Sequence, residues 1–119
     1  MRGEFDLIDL FTSRLPRPPA PMGPGDDCAV LPASRGQLCL TTDALVEGVH
    51  FSRPAFSLED VGHKALAVNL SDLAAMGAKP EWFLCALALP RSFTDQDVLA
   101  LAKGMQPSAR QHRVKLIGG

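Results

Sequence analysis

At 119 residues the chain has room for one hydrophobic core and not for two full domains. Hydrophobic residues make up 46% and charged residues 21%, which excludes a disordered composition, and no apolar run reaches the roughly 18 residues a membrane span needs. Twelve Lys and Arg against 13 Asp and Glu leave a net charge of −1, so no broad attraction to nucleic acid or anionic lipid follows.

The opening Met1-Arg2-Gly3-Glu4-Phe5-Asp6 lacks the apolar stretch of a secretory signal and carries acids that an organelle-targeting peptide avoids, so a cytoplasmic protein is expected. Residues 4–15 place Leu7, Ile8, Phe11 and Leu15 on one stripe, with acids in the first turn where the helix dipole favours them. A short amphipathic helix is predicted there. Five prolines and two glycines in residues 16–25 support neither helix nor central strand, so an irregular loop follows. Residues 28–31 and 37–42 are short apolar runs around Pro32-Ala33-Ser34-Arg35-Gly36 and predict an antiparallel hairpin. Ser57 with Asp60 forms a capping box, opening a helix that runs to a left-handed cap at Gly77. Residues 82–89 read as a strand. Thr94 with Asp97 starts another capped helix that turns Val98, Leu99, Leu101, Ala102 and Met105 inward, and residues 114–117 are the last strand before Gly118-Gly119. Strand, helix, strand implies a right-handed crossover and an α+β or α/β domain. The stop after a Gly-Gly turn reads as a cut within a longer protein. Cys28, Cys39 and Cys85 lie in apolar surroundings without metal-ligand or C-x-x-C spacing and are expected to be buried thiols.

The second half of the helix after Ser57 is apolar nearly all round, from Ala65 to Met76, and predicts burial. Asn69 and Asp72 share a face of it. A carboxylate there is either bonded to backbone amides or turned outward, or else it holds a metal ion or phosphate. Asp26-Asp27 and Asp43 sit at strand edges, where an Asx-type turn or a strand-end cap explains each one separately. Taken together, four acids at three junctions favour a site, and oxygen ligands from Asp and Thr suit Mg²⁺ or Mn²⁺ better than zinc. No twelve-residue loop has the alternating acids of an EF-hand. His50, just past the Asp43 junction, is within reach of an anion lying over the carboxylates. His63 and His112 are placed on helix surfaces without a role.

Gly3-Glu4-Phe5-Asp6-Leu7-Ile8, Gly25-Asp26-Asp27-Cys28-Ala29, Thr41-Thr42-Asp43 with Val46-Glu47-Gly48-Val49-His50-Phe51, and the run from His63 to Gly77 that contains Asn69-Leu70-Ser71-Asp72 together resemble the N-terminal part of the bacterial thiamine-monophosphate kinase family. Leu116-Ile117-Gly118-Gly119 is similar to the start of that family's Gly-Gly-Asp-Thr-Thr motif. Only the Pro-rich loop departs, with Pro24 where the family has an aliphatic residue between two glycines. The resemblance implies the N-terminal domain of the aminoimidazole-ribotide-synthetase-like fold, α+β with a mixed or antiparallel sheet packed by two long helices. It implies residues 1–119 as a metal- and ATP-binding domain cut before a C-terminal domain, inactive alone, and pairing as a homodimer. The apolar faces of residues 82–89 also suggest pairing sheet to sheet. The implied reaction moves the γ-phosphoryl group of ATP onto thiamine monophosphate, with Mg²⁺ held by Asp27, Asp43 and Asp72 together with Thr41 and Thr42. His50 then meets the thiamine phosphate, Gly119 lies against ATP, Asp26 is undecided, and no side chain acts as a covalent catalyst. The absence of G-x-x-x-x-G-K-[ST] agrees with phosphates held through metal ions. Selenophosphate synthetase, the aminoimidazole ribotide synthetase and a hydrogenase-maturation enzyme share the implied fold, and a Gly-Gly-terminated ubiquitin-like carrier is the alternative of another class.

Overall fold

In this computed structural model, which describes residues 3–33 and 35–119, two capping boxes fix where the long helices start. The chain order is α1 (Glu4–Thr12), α2 (Leu58–Ala75), β1 (Trp82–Leu84), α3 (Asp95–Gln111) and β2 (Lys115–Gly118). Ser57 Oγ accepts from the Asp60 N–H at 3.0 Å while Asp60 Oδ2 accepts from the Ser57 N–H at 2.9 Å. Thr94 and Asp97 repeat the exchange at the start of α3, at 3.3 and 2.7 Å. These bonds favour the charged carboxylates, so the Ser57 hydroxyl above all holds Asp60, and the Thr94 N–H above all holds Asp97, below the ordinary aspartate range. Gly77 takes φ +66° after α2, as the cap requires, and Ala78 N–H donates to Leu73 O at 2.9 Å. Arg113, at φ +55°, ends α3 in the same way, with Val114 N–H on Ala109 O at 2.9 Å.

Helices α2 and α3 pack on each other through a reciprocal notch. A Cβ on Gly62 would overlap the Leu101 carbonyl, and a Cβ on Gly104 would overlap the Glu59 carbonyl. Both obstacles are backbone, which cannot swing aside as a side chain does. The close approach buries Val61, Leu66, Val98, Leu101, Ala102 and Met105, while α1 adds Phe11, with Leu15 just beyond its end. Leu99, expected inward, is only half-buried. Exposed Lys103 and Glu59 bridge the same seam at 2.9 Å, a pair worth little in water.

The sheet keeps the expected strand, helix, strand crossover and is smaller than expected. β1 and β2 pair in parallel, with Trp82 opposite Lys115 and Phe83 opposite Leu116, and α3 forms the crossover between them. Among the described residues, the expected mixed or antiparallel sheet is reduced to this two-stranded parallel ladder, which Pro16 O extends by accepting from Leu116 N–H at 2.9 Å. The predicted hairpin is absent: the described residues of 28–31 and 37–42 carry no ladder and are exposed. Leu38 is 67% and Leu40 89% exposed. A two-stranded hairpin is marginal unless its apolar face finds a surface, and the described chain gives it none. For the same reason Cys28 and Cys39 are exposed rather than buried, and the last turn of α2 is uncovered, leaving Met76 exposed. The expectation of a wholly buried second half of α2 is corrected accordingly.

Replacing Gly62 or Gly104 by Ala is expected to destabilise the fold by about 1–3 kcal/mol in urea unfolding, against the ~1 kcal/mol that Ala gains over Gly in a helix interior. Equal or greater stability in both variants would contradict the notch. Cys85 packs against the core, and burial pushes its thiol up to about 11. Because the folded thiol titrates above the unfolded one, this contribution to stability is whole below about pH 8.5 and declines between there and about pH 11. At pH 8.5 iodoacetamide should modify Cys85 roughly a hundredfold more slowly than a free cysteine peptide, as a shift of about two pKa units dictates. An equal rate would show the thiol to be unburied.

Candidate functional site

Helix α2 carries one face toward α3 through Gly62 and another toward residues 41–50. Near its start, Lys64 Nζ donates to His50 O at 2.8 Å. Two turns later, Asp72 Oδ2 accepts from Thr41 Oγ1 at 3.1 Å. Residues 41–50 therefore run back along α2, pinned at both ends. Asp43 lies two residues from Thr41, no more than about 7 Å of extended chain, so it is carried to the Asp72 end. Asn69 does not join them, because its Nδ2 donates to Ala65 O at 2.9 Å within the helix.

His50 is held in a tight turn. Its N–H donates to Val46 O at 2.9 Å, and the Val46 N–H donates to its Nδ1 at 3.0 Å. Gly48 closes the turn at φ +83°, with its N–H on Phe51 O at 2.8 Å. Phe51 and Phe56 pack against the core, and Arg53 lies 5.0 Å from the centroid of the Phe93 ring. The loop is thus seated on α2 on one side and at the start of α3 on the other.

Of the expected ligands, Thr41 and Asp72 are brought into contact, whereas Asp27, Thr42 and Asp43 are exposed without a direct tie to them. Among the described residues, no three His, Cys, Asp or Glu side chains converge as a metal-holding group. Asp26 and Asp27 differ: Asp26 Oδ1 accepts from the Asp27 N–H at 2.8 Å, a local turn bond. Gly119 stands at the end of β2 against the Cys85 backbone, so close that a Cβ would overlap it, and Cys85 N–H donates to Gly118 O at 2.8 Å. His63 is within 3.5 Å of Ser108 Oγ on α3, and His112 is the C-cap of that helix. Lys64 was not foreseen as part of the site, since one lysine on a helix of mixed composition carries no motif. The donors available, carboxylates and hydroxyls, are the hard oxygen ligands that Mg²⁺ takes.

Residues 25–119 match the family described as "AIR synthase related protein, N-terminal domain". The chain is 43% identical over 118 residues to the thiamine-monophosphate kinase of Bacillus subtilis (strain 168), covering 98% of this chain and 36% of that protein. It is 42% identical over 120 residues to the thiamine-monophosphate kinase of Haemophilus influenzae, again covering 98% of this chain and 36% of the relative. The crystal structure of thiamine-monophosphate kinase from Stenotrophomonas maltophilia K279a superposes with a TM-score of 0.75 at 40% identity, over 98% of this chain and 37% of that one. The chain thus spans about a third of the length of the curated relatives it matches. The match over residues 25–119 takes in the Asp72 helix, the pinned 41–50 stretch and both strands, and by it the chain belongs to the AIR synthase related protein family, as the N-terminal domain.

Proposed function

We propose that the chain is the N-terminal, metal- and ATP-binding part of a thiamine-monophosphate kinase. The observation that carries this reading is the contact of Thr41 with Asp72 in a chain 43% identical to a protein of that name. In the reaction, a phosphate oxygen of thiamine monophosphate attacks the γ-phosphorus of ATP, the bond from that phosphorus to the bridging oxygen breaks, and ADP leaves with the electron pair. Asp27, Asp43 and Asp72, with Thr41 and Thr42, are the oxygen donors for Mg²⁺, which when bound neutralises charge on the phosphates.

The chain's own residues bind and orient. Thr41 fixes the Asp72 carboxylate before any ligand arrives, limiting the reorganisation that positioning would otherwise cost. His50 keeps Nε2 for the thiamine phosphate because its Nδ1 is taken by Val46. Gly119 brings bare backbone to the place assigned to ATP. A carrier activated at Gly118-Gly119 finds no support in this arrangement, since Gly118 is bound to Cys85 in the ladder. Nor do the relatives' names favour another ATP-using enzyme of the same fold.

The uncovered apolar residues Leu38, Leu40, Val49 and Met76, from 67% to 89% exposed, support pairing with a second copy. A homodimer is proposed on that ground, and the net charge of −1 favours neither nucleic acid nor an anionic membrane as its partner. Among the described residues no helix is long and apolar enough to cross a membrane.

In the full-length protein, coupled assay should give thiamine diphosphate from ATP and thiamine monophosphate. Asp72→Asn and Asp43→Asn should each lower kcat by about a hundredfold or more, while Glu59→Gln, on the α3 seam, should not. Unchanged turnover in both Asp variants would overturn the metal assignment. Sedimentation at tens of micromolar, well above the micromolar range of ordinary interfaces, should show a dimer. A monomer there would remove the second copy from this reading.

A further inference from the structure

We propose that Lys64 is a positioning residue of the substrate site, setting which nitrogen of His50 carries the proton that faces the phosphate. The inference rests on the reading of His50 as the residue that meets the thiamine phosphate. Its geometric part stands on the free protein alone.

The Val46 N–H donates to His50 Nδ1 at 3.0 Å, and an imidazole nitrogen accepts only through a lone pair. Nδ1 is therefore unprotonated, and the neutral ring carries its hydrogen on Nε2. Among the described residues Nε2–H has no partner, which leaves one donor for a phosphate oxygen. That arrangement depends on the position of the His50 backbone relative to Val46, because the ring can reach the Val46 N–H only while the turn at residues 46–51 stays closed. Within the turn, closure comes from His50 N–H on Val46 O at 2.9 Å, Val49 N–H on the same oxygen at 3.1 Å, and Gly48 N–H on Phe51 O at 2.8 Å. All of these bonds are local to an exposed loop. The outside anchor on His50 is Lys64, whose ammonium meets the His50 carbonyl at 2.8 Å.

Lys64 is well made for that task. It projects from α2 two residues past Gly62, on the side of the helix away from the α3 notch. Its stem is half-buried, and its Nζ stands 5.6 Å from the centroid of the Phe56 ring, itself packed on the core. A lysine held between a ring and a backbone carbonyl acts on the anion through His50 rather than by touching it. A charged donor on that carbonyl is also stronger than the neutral bonds inside the turn.

The test combines selective ¹⁵N-histidine labelling of the full-length, ligand-free protein with steady-state kinetics. Wild type should show His50 as the Nε2–H tautomer, with a pyridine-like Nδ1. Lys64→Met and Lys64→Gln should move His50 to the averaged tautomer pattern of a solvent-exposed histidine, and Lys64→Arg should restore the wild-type pattern. In the assay, Met and Gln should raise KM for thiamine monophosphate about tenfold, as loss of one charge-assisted contact implies, with KM for ATP and kcat nearly unchanged. Thermal melts within a few degrees of wild type exclude simple misfolding. A wild-type tautomer pattern in both Met and Gln variants would overturn the proposal, even if KM rose, because a lysine in direct contact with phosphate leaves the free protein's spectrum alone. A protein that shows the tautomer shift but makes no thiamine diphosphate would overturn the kinase reading and leave the positioning of His50 supported.

Discussion

The close approach of two helix backbones at Gly62 and Gly104 is the constraint from which the remaining geometry follows. Each glycine faces a backbone carbonyl of the other helix, so neither contact relaxes by a rotamer change. With the α2–α3 spacing fixed in this way, Val61, Leu66, Val98, Leu101 and Met105 share one dry interior. The rotation of α2 about its axis is fixed as well. A helix that must turn Gly62 inward must turn Lys64, 200° further round, outward.

That outward face serves as a rail. Asp72 takes Thr41 at one end and Lys64 takes His50 at the other, so a ten-residue segment with almost no buried side chain is nevertheless given a path. Functional residues on loops are commonly held by rigid elements in this manner. The polar bonds that set the path are individually modest and exposed, and they do not provide the stability of the domain. In the proposed kinase their value would lie in orientation, which is what a phosphoryl transfer without a covalent intermediate needs most. The uncovered Leu38, Leu40 and Val49 lie on or next to the same segment, so the exposed apolar side chains and the proposed ligand-binding residues belong to one stretch of chain.

Much of this was legible in the sequence where the cause is local. Ser57 with Asp60, Thr94 with Asp97, and Gly77 are signals read over four or five residues, and each appears as a cap at the place expected. The stripe of Val98, Leu101, Ala102 and Met105 was legible because burial on one helix face repeats with the helix period. The hairpin was not, since short apolar runs at residues 28–31 and 37–42 say that side chains want covering without saying whether the cover lies in the same chain. The apolar run of α2 misled for the same reason. At the site, Asp72 stood out as a carboxylate in apolar company, and Thr41 as part of the Thr41-Thr42-Asp43 strand-end motif, but the contact of Asp72 with Thr41 crosses 31 positions and no spacing rule reaches that far. Lys64 carried no signal, because its role is set by a carbonyl 14 residues away.

The proposal on which the functional reading turns is that Asp27, Asp43 and Asp72, carried on separate segments, hold a cation against phosphate once ligands are bound. It is tested most directly by crystals of the full-length protein grown with Mg²⁺, thiamine monophosphate and a non-hydrolysable ATP analogue. Magnesium should be bound by Asp72 and Asp43, with Asp27 joining them, and His50 Nε2 should lie on a thiamine phosphate oxygen. Magnesium and phosphates bound elsewhere, with Asp72 still bonded only to Thr41, would contradict it.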